Sequence, residues 1–186
     1  MQAFRTVKYS QTTITELMIP SYANFGGKIH GGILLSMMDK VAYACASKHA
    51  GSYCVTVSVD TVDFLEPLEV GELVSLHASV NHVGKSSMIV GIRVEAENVI
   101  TGVKRHTNTS YFTMVSKGND NKPKEVPGLE LESKEEVRRF LEAIKRRGLK
   151  HEYKVQLNNE KTSISVKEEI KKVTNERYVL KDGLEL

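Results

Sequence analysis

Cysteine is scarce, with Cys45 and Cys54 the only two in 186 residues, and both stand among apolar neighbours. Two thiols make no disulfide framework, and a chain of this length buries enough surface to fold without one, so they read as buried free thiols. Long apolar runs are also missing. No stretch reaches the roughly 18 residues of a membrane-spanning helix, and the opening MQAFRTVKYS lacks the charged-then-apolar order of a secretory signal. A cytoplasmic protein without a membrane span is therefore expected. Nor does one sign of charge dominate. The formal net charge is +3, with nine basic and nine acidic residues up to Ser116 and seventeen and fourteen beyond it. A weakly basic tail without interleaved aromatic residues reads as a solvated helix face, so no nucleic-acid partner is expected.

Several chemical signatures are absent too. The sequence has no Gly-x-Ser-x-Gly elbow, no Walker phosphate loop and no Gly-x-Gly-x-x-Gly turn, which argues against serine-hydrolase and nucleoside triphosphate chemistry. Cys45 and His49 share a helical face, but no third or fourth ligand follows at useful spacing, so no metal is expected.

What is present is strongly periodic. Runs at 12–20, 52–65, 72–83, 86–99 and 103–115 alternate apolar and polar residues and are rich in β-branched side chains, predicting five strands. Short joints at Gly71, Gly84 and Gly102 predict an antiparallel meander. Between the first two strands, Ile33 to Ala50 is rich in Ala, Leu and Met, has no proline and stops at Gly51, as a helix does. Its apolar residues run nearly all round, predicting a helix wrapped by protein on most sides. The architecture is α+β, with a domain over 1–116 and a linker over 117–132. A second helix is expected over 133–148, where Ser133 and Glu136 form a capping-box pattern and Gly148 marks the end. The tail 149–186 lacks a clear period and is expected to be disordered or partner-dependent, with a short helix at 166–173 as one option.

The chemistry concentrates in ANFGGKIHGGILLSMMDK, residues 23–40. Gly31 and Gly32 open the helix, where unpartnered N–H groups and the helix dipole favour an oxyanion. Asp39 is the one acid in the apolar run. It serves either as a structural ion-pair member or as a general base or nucleophile in a cleft wall. His30, at the helix entrance, reads as a cap or a carbonyl partner.

These residues resemble a family. Pro20, Asn24, Gly27, Gly31-Gly32 and Asp39, then VTVSVDTVDFLEPLEVGE (55–72) and VGKSSMIVGIRV (83–94), are similar at their mutual distances to hot-dog-fold acyl-CoA thioesterases. The likeness is to the YciA-like and brain-type cytosolic hydrolases, over about residues 4–130. It implies a long central helix wrapped by a curved antiparallel sheet, with a C-terminal helical extension. It further implies a homodimer with shared active sites, assembled as a trimer of dimers, in which Asn24 and Asp39 of different subunits meet. The implied substrate is fatty acyl-CoA, cleaved to free fatty acid and CoA, with CoA part of substrate and product and no separate cofactor. By the same resemblance Lys85, Ser86 and Ser87 line the CoA groove, and Thr56 and Val57 border the thioester. The Gly31 and Gly32 N–H groups would polarise the carbonyl while Asp39 acts as base or nucleophile. Two other functions fit such a fold: a non-catalytic acyl-CoA-binding regulator, and a dehydratase for which only His30 supplies the histidine.

Overall fold

Residues 3–173, 175–181 and 184–185 are described in a computed structural model of the chain. The first unit runs to Ala143. Its elements are β1 (Phe4–Thr6), α1 (Val7–Ser10), β2 (Thr12–Leu17), α2 (Gly31–Ala50), β3 (Cys54–Val59), β4 (Glu72–Val83), β5 (Ser87–Asn98), β6 (Lys104–Ser116), β7 (Gly128–Glu130) and the start of α3 (Lys134–Ser163). Five strands form one antiparallel sheet in the order β2-β4-β5-β6-β3; the joints at Gly84 and Gly102 close hairpins as expected, but the one at Gly71 does not, because β3 pairs with β6 at the far edge and β4 lies between β2 and β5. Alternate residues of β4 and β5, from Val74 to Val80 and from Met88 to Ala96, turn one face of this sheet inward. With Phe112 and Met114 of β6 they enclose Leu34, Met38, Val41, Ala42 and Cys45 of α2 in one apolar core.

The helix is not wrapped all round. Gly32, Leu35, Ser36, Asp39, Lys40 and Tyr43 recur every three or four residues and form an exposed stripe. The cause is geometric: the sheet ends at β3, and a five-stranded sheet from a single chain covers only one side of a helix.

Both ends of α2 are capped. His30 Nδ1 accepts from the Gly32 N–H at 2.8 Å, and Gly51 takes the left-handed conformation after the last turn (φ 64°). At that end the Arg5 guanidinium donates to the carbonyls of Lys48 (2.8 Å) and His49 (2.6 Å), where the helix dipole is negative. Arg5 belongs to β1, which pairs in parallel with β7. Residues 117–132 are therefore more than a linker, since Val126 and Pro127 are buried and β7 ties back to the start of the chain.

His49 sits in this junction, fully buried. Its Nε2 donates to the Pro127 carbonyl at 3.1 Å, which leaves Nδ1 to accept from Ser10 Oγ at 3.4 Å. Burial pushes its pKa below the usual 6.5, and the nearby Arg5 charge adds to that effect against the opposing Pro127 bond. A proton therefore binds the unfolded chain more readily than the folded one. The stability held by neutral His49 is complete above pH ~6.5 and declines as pH falls through that value. Thermal melts from pH ~7.5 to ~5 should show the midpoint falling faster in the natural chain than in His49→Gln; parallel curves would dismiss His49 as the source.

Helix α3 begins with the expected capping box: Ser133 Oγ accepts from the Glu136 N–H, and the Glu136 carboxylate accepts from the Ser133 N–H, both at 3.2 Å. Phe140 stacks on His82 with centroids 5.3 Å apart, and Tyr111 Oη donates to Glu142 at 3.0 Å. The helix does not stop at Gly148 and continues to Ser163. A glycine in an exposed helix costs only about 1 kcal/mol, and no proline follows it.

The second unit, from Ile144 onward, holds the rest of α3, a short α4 (Val166–Glu169) and a 3-10 turn at Ile170–Lys172. Much of the tail is thus helical, and Tyr178 Oη donates to the carbonyls of Ile170 and Val173. No helix among the described residues is long and apolar enough to cross a membrane.

Candidate active site

Asn24 is placed by its own loop. Its N–H donates to the Lys28 carbonyl at 2.7 Å, and its Oδ1 accepts from the N–H groups of Gly26 (2.9 Å) and Lys28 (3.2 Å). Gly27 makes the tight return with φ 77°. Two donors on the oxygen fix the orientation of the amide, so its NH2 is the part left to present to a ligand.

The same loop delivers the chain to the start of α2. Of the two glycine N–H groups there, that of Gly32 is occupied by His30, whereas that of Gly31 has no protein acceptor among the described residues. The sequence-based expectation of a two-glycine oxyanion site thus reduces to one free donor, because the N-cap histidine consumes the other. The Phe64 ring lies against Gly31 so closely that a Cβ there would sit 3.2 Å from it.

A loop between β3 and β4 carries Phe64 and is pinned by two residues of β6. Asn108 Nδ2 donates to the Asp63 carbonyl at 2.6 Å. Arg105 donates to the Pro67 carbonyl (2.7 Å) and pairs with Glu66 (2.9 Å) and with the buried Glu72. Burial pushes the Glu72 carboxyl up, but hydrogen bonds from Arg105 and the Glu69 N–H, with the charges of Arg105 and Lys28, outweigh it and hold it below the usual range.

Asp39 lies elsewhere, on the exposed stripe of α2. Thr56 Oγ1 donates to its Oδ1 at 2.5 Å and also contacts Met114 Sδ at 3.4 Å. Thr56 stands where β3 bulges against β6, a shift that leaves Val57 61% exposed. One carboxylate oxygen is thereby fixed and the other stays open. This contact depends on the register of β3 against α2, for which the sequence carries no local signal.

The pieces fall into two groups. Asn24 and the Gly31 N–H lie at one end of α2; Asp39 and Thr56 lie at its middle. Eight residues separate Gly31 from Asp39, which is about 12 Å along the axis, too far for both to meet one thioester from the same chain. Lys85 and Ser86 lie in the turn between β4 and β5, and Ser87 begins β5. The row Thr56–Met114–Met88 faces the helix, whereas Ser87 lies in the next row, with Val115 and Val55, on the opposite face.

A family model described as Thioesterase superfamily matches residues 26–103, which hold Gly31, Asp39 and Thr56. Protein VdlD of Helicobacter pylori is 41% identical over 145 residues, 78% of this chain and 83% of that one. The cytosolic acyl coenzyme A thioester hydrolase of Mus musculus is 34% identical over 74% of this chain and 36% of its own. The uncharacterized acyl-CoA thioester hydrolase YkhA of Bacillus subtilis is 34% identical over 76% of this chain and 83% of that one. The chain belongs to the acyl-CoA thioester hydrolases of the thioesterase superfamily. Its hot-dog fold recurs in an apo-hexameric acyl-CoA thioesterase, with a TM-score of 0.79 and 37% identity over 82% of this chain and 97% of that one. An acyl-CoA hydrolase of Staphylococcus aureus, seen in complex with butyryl coenzyme A, coenzyme A and coenzyme A disulfide, matches with a TM-score of 0.75 and 29% identity, over 86% of this chain and 99% of its own. Structures of that hydrolase also include alanine variants of one aspartate, one asparagine and one threonine. A thioester hydrolase needs a base or nucleophile and donors for a carbonyl oxygen.

Proposed function

We propose that this hydrolase cleaves fatty acyl-CoA at a site shared between two subunits. The observation that carries the reading is the separation on α2: a held carboxylate at its middle, free donors at its end, and an exposed stripe between them. Two copies of α2 lying antiparallel along that stripe, with the two-fold axis near Leu35, set Gly31 and Asn24 of one subunit beside Asp39 and Thr56 of the partner subunit. The spacing of the three substituted residues in the Staphylococcus aureus hydrolase equals that of Asn24, Asp39 and Thr56, which supports grouping them. The hexameric relative supports a trimer of such dimers.

The chemistry follows from the atoms. The thioester carbonyl oxygen accepts from Asn24 Nδ2 and the Gly31 N–H, which stabilise the charge that develops on it. Asp39, anchored through Oδ1, takes a proton on Oδ2 from a water that attacks the carbonyl carbon. Collapse of the tetrahedral intermediate breaks the carbon–sulfur bond; the sulfur takes the proton back from Asp39, so that CoA leaves as its thiol and the acyl group as free acid. Thr56 and Val57 border the thioester. Lys85, at the hairpin tip with Ser86 and Ser87, contacts the CoA phosphates, and a cytoplasmic location belongs to the same reading.

The test is thiol release from a panel of acyl-CoAs from acetyl to palmitoyl. The expected result is turnover that rises with chain length beyond acetyl. Hydrolysis confined to acetyl-CoA would overturn the fatty-acyl assignment, and binding without any release would favour the non-catalytic regulator.

A further inference from the structure

We infer that Glu72, Glu69 and Arg105 are positioning residues for the reaction, acting on Asn24 through a continuous line of contacts. The inference rests on the role given to Asn24 above. Arg105 grips both oxygens of Glu72, one of them at 2.9 Å from Nη2. Glu72 Oε2 also accepts the Glu69 N–H at 2.8 Å, so the buried ion pair fixes the backbone of Glu69. From there two connections reach the Asn24 loop: the Glu69 carboxylate pairs with Lys28 Nζ, and Glu69 bridges Lys28 in antiparallel register beside the Ile29 N–H to Leu68 carbonyl bond of 2.9 Å. Lys28 then closes on Asn24 from both sides, its carbonyl accepting the Asn24 N–H and its own N–H donating to Asn24 Oδ1.

The arrangement does what a flexible glycine-rich loop cannot do alone. Asn24 is followed by Phe25, Gly26 and Gly27, and its side chain is exposed. Its amide can serve a developing oxyanion only if the loop is held to within a fraction of an ångström, and Lys28, which bonds Asn24 on both sides, holds it together with the Gly26 N–H. Arg105 is suited to the anchor because its fork takes a carboxylate and a carbonyl together, which a lysine ammonium does not match. The ion pair therefore lies three residues removed from the reacting atoms yet sets the direction of the amide.

The experiment is a double-mutant cycle read as kcat and KM. Glu72→Gln should lower kcat by about 20-fold and Glu69→Gln by about threefold, with KM moving less than about twofold in both, because the held amide acts on the transition state. In the Asn24→Ala background the same substitutions should each change kcat by less than about twofold, since the group they position is gone. Should Glu72→Gln fail to fold, Glu69→Gln, at an exposed pair, carries the cycle. If Asn24→Ala is slow and Glu69→Gln slows it by the same factor again, these residues only stabilise the fold and the inference falls. If Asn24→Ala keeps full activity, the role of Asn24 falls and this inference with it.

Discussion

Asp39→Asn is expected to lower kcat for acyl-CoA hydrolysis by about 10²- to 10⁴-fold with little change in the melting temperature. Asp39 is exposed on the open stripe of α2, so replacing it leaves no uncompensated charge in the core. The Thr56 hydroxyl keeps an oxygen to donate to, because asparagine retains one at that position, and the geometry recorded by the 2.5 Å contact survives. The only loss is a group able to accept a proton or attack a carbonyl. Thiol release measured beside a thermal melt reads both halves of the expectation. Turnover that survives in a folded variant would leave Asp39 a structural residue and remove the base from the mechanism.

The second large effect concerns two inactive proteins that become active together. Asn24→Ala and Asp39→Ala, each assembled alone, should be nearly inactive; co-expressed in equal amounts they should recover about a quarter of the natural activity. The fraction follows from two-fold pairing. Half of the dimers are mixed, and each mixed dimer contains one site with both substitutions and one with neither. The basis is the distance of about 12 Å that α2 imposes between Gly31 and Asp39 of one chain. A site completed within a single chain would leave the mixture as inactive as its parts.

Much of the fold is legible in the sequence because its long elements are periodic and punctuated. The β5–β6 hairpin closes at Gly102, whose φ of 71° no β-branched residue would adopt easily, and the α2 helix stops at Gly51 for the same reason. The short pieces are not legible. Phe4–Thr6 and Gly128–Glu130 are three residues each, too few to show a period, and their pairing is a tertiary event. The open stripe of α2 is hidden for another reason: Leu35 and Tyr43 look like core residues, and periodicity cannot tell a face covered by its own chain from one left for a partner. At the site, Asn24, Gly31 and Asp39 stand out as a glycine-rich loop, a helix start and a lone acid. The contact of Thr56 with Asp39, and the occupation of the Gly32 N–H by His30, depend on register and on a ring nitrogen's direction, and neither leaves a mark in the sequence.

The parallel pairing of β1 with β7 also bears on how the chain acquires its shape during synthesis. Arg5 cannot join its strand partner until residues 128–130 have been made. Until then the first few residues wait while the meander assembles, and the strand made first is the last to find its neighbour. Closing so long a loop is entropically costly and slow compared with forming the β4–β5 and β5–β6 hairpins. The barrier to the native state should therefore be set by the hairpins, with the joining of the two ends as a late step that locks a sheet already formed.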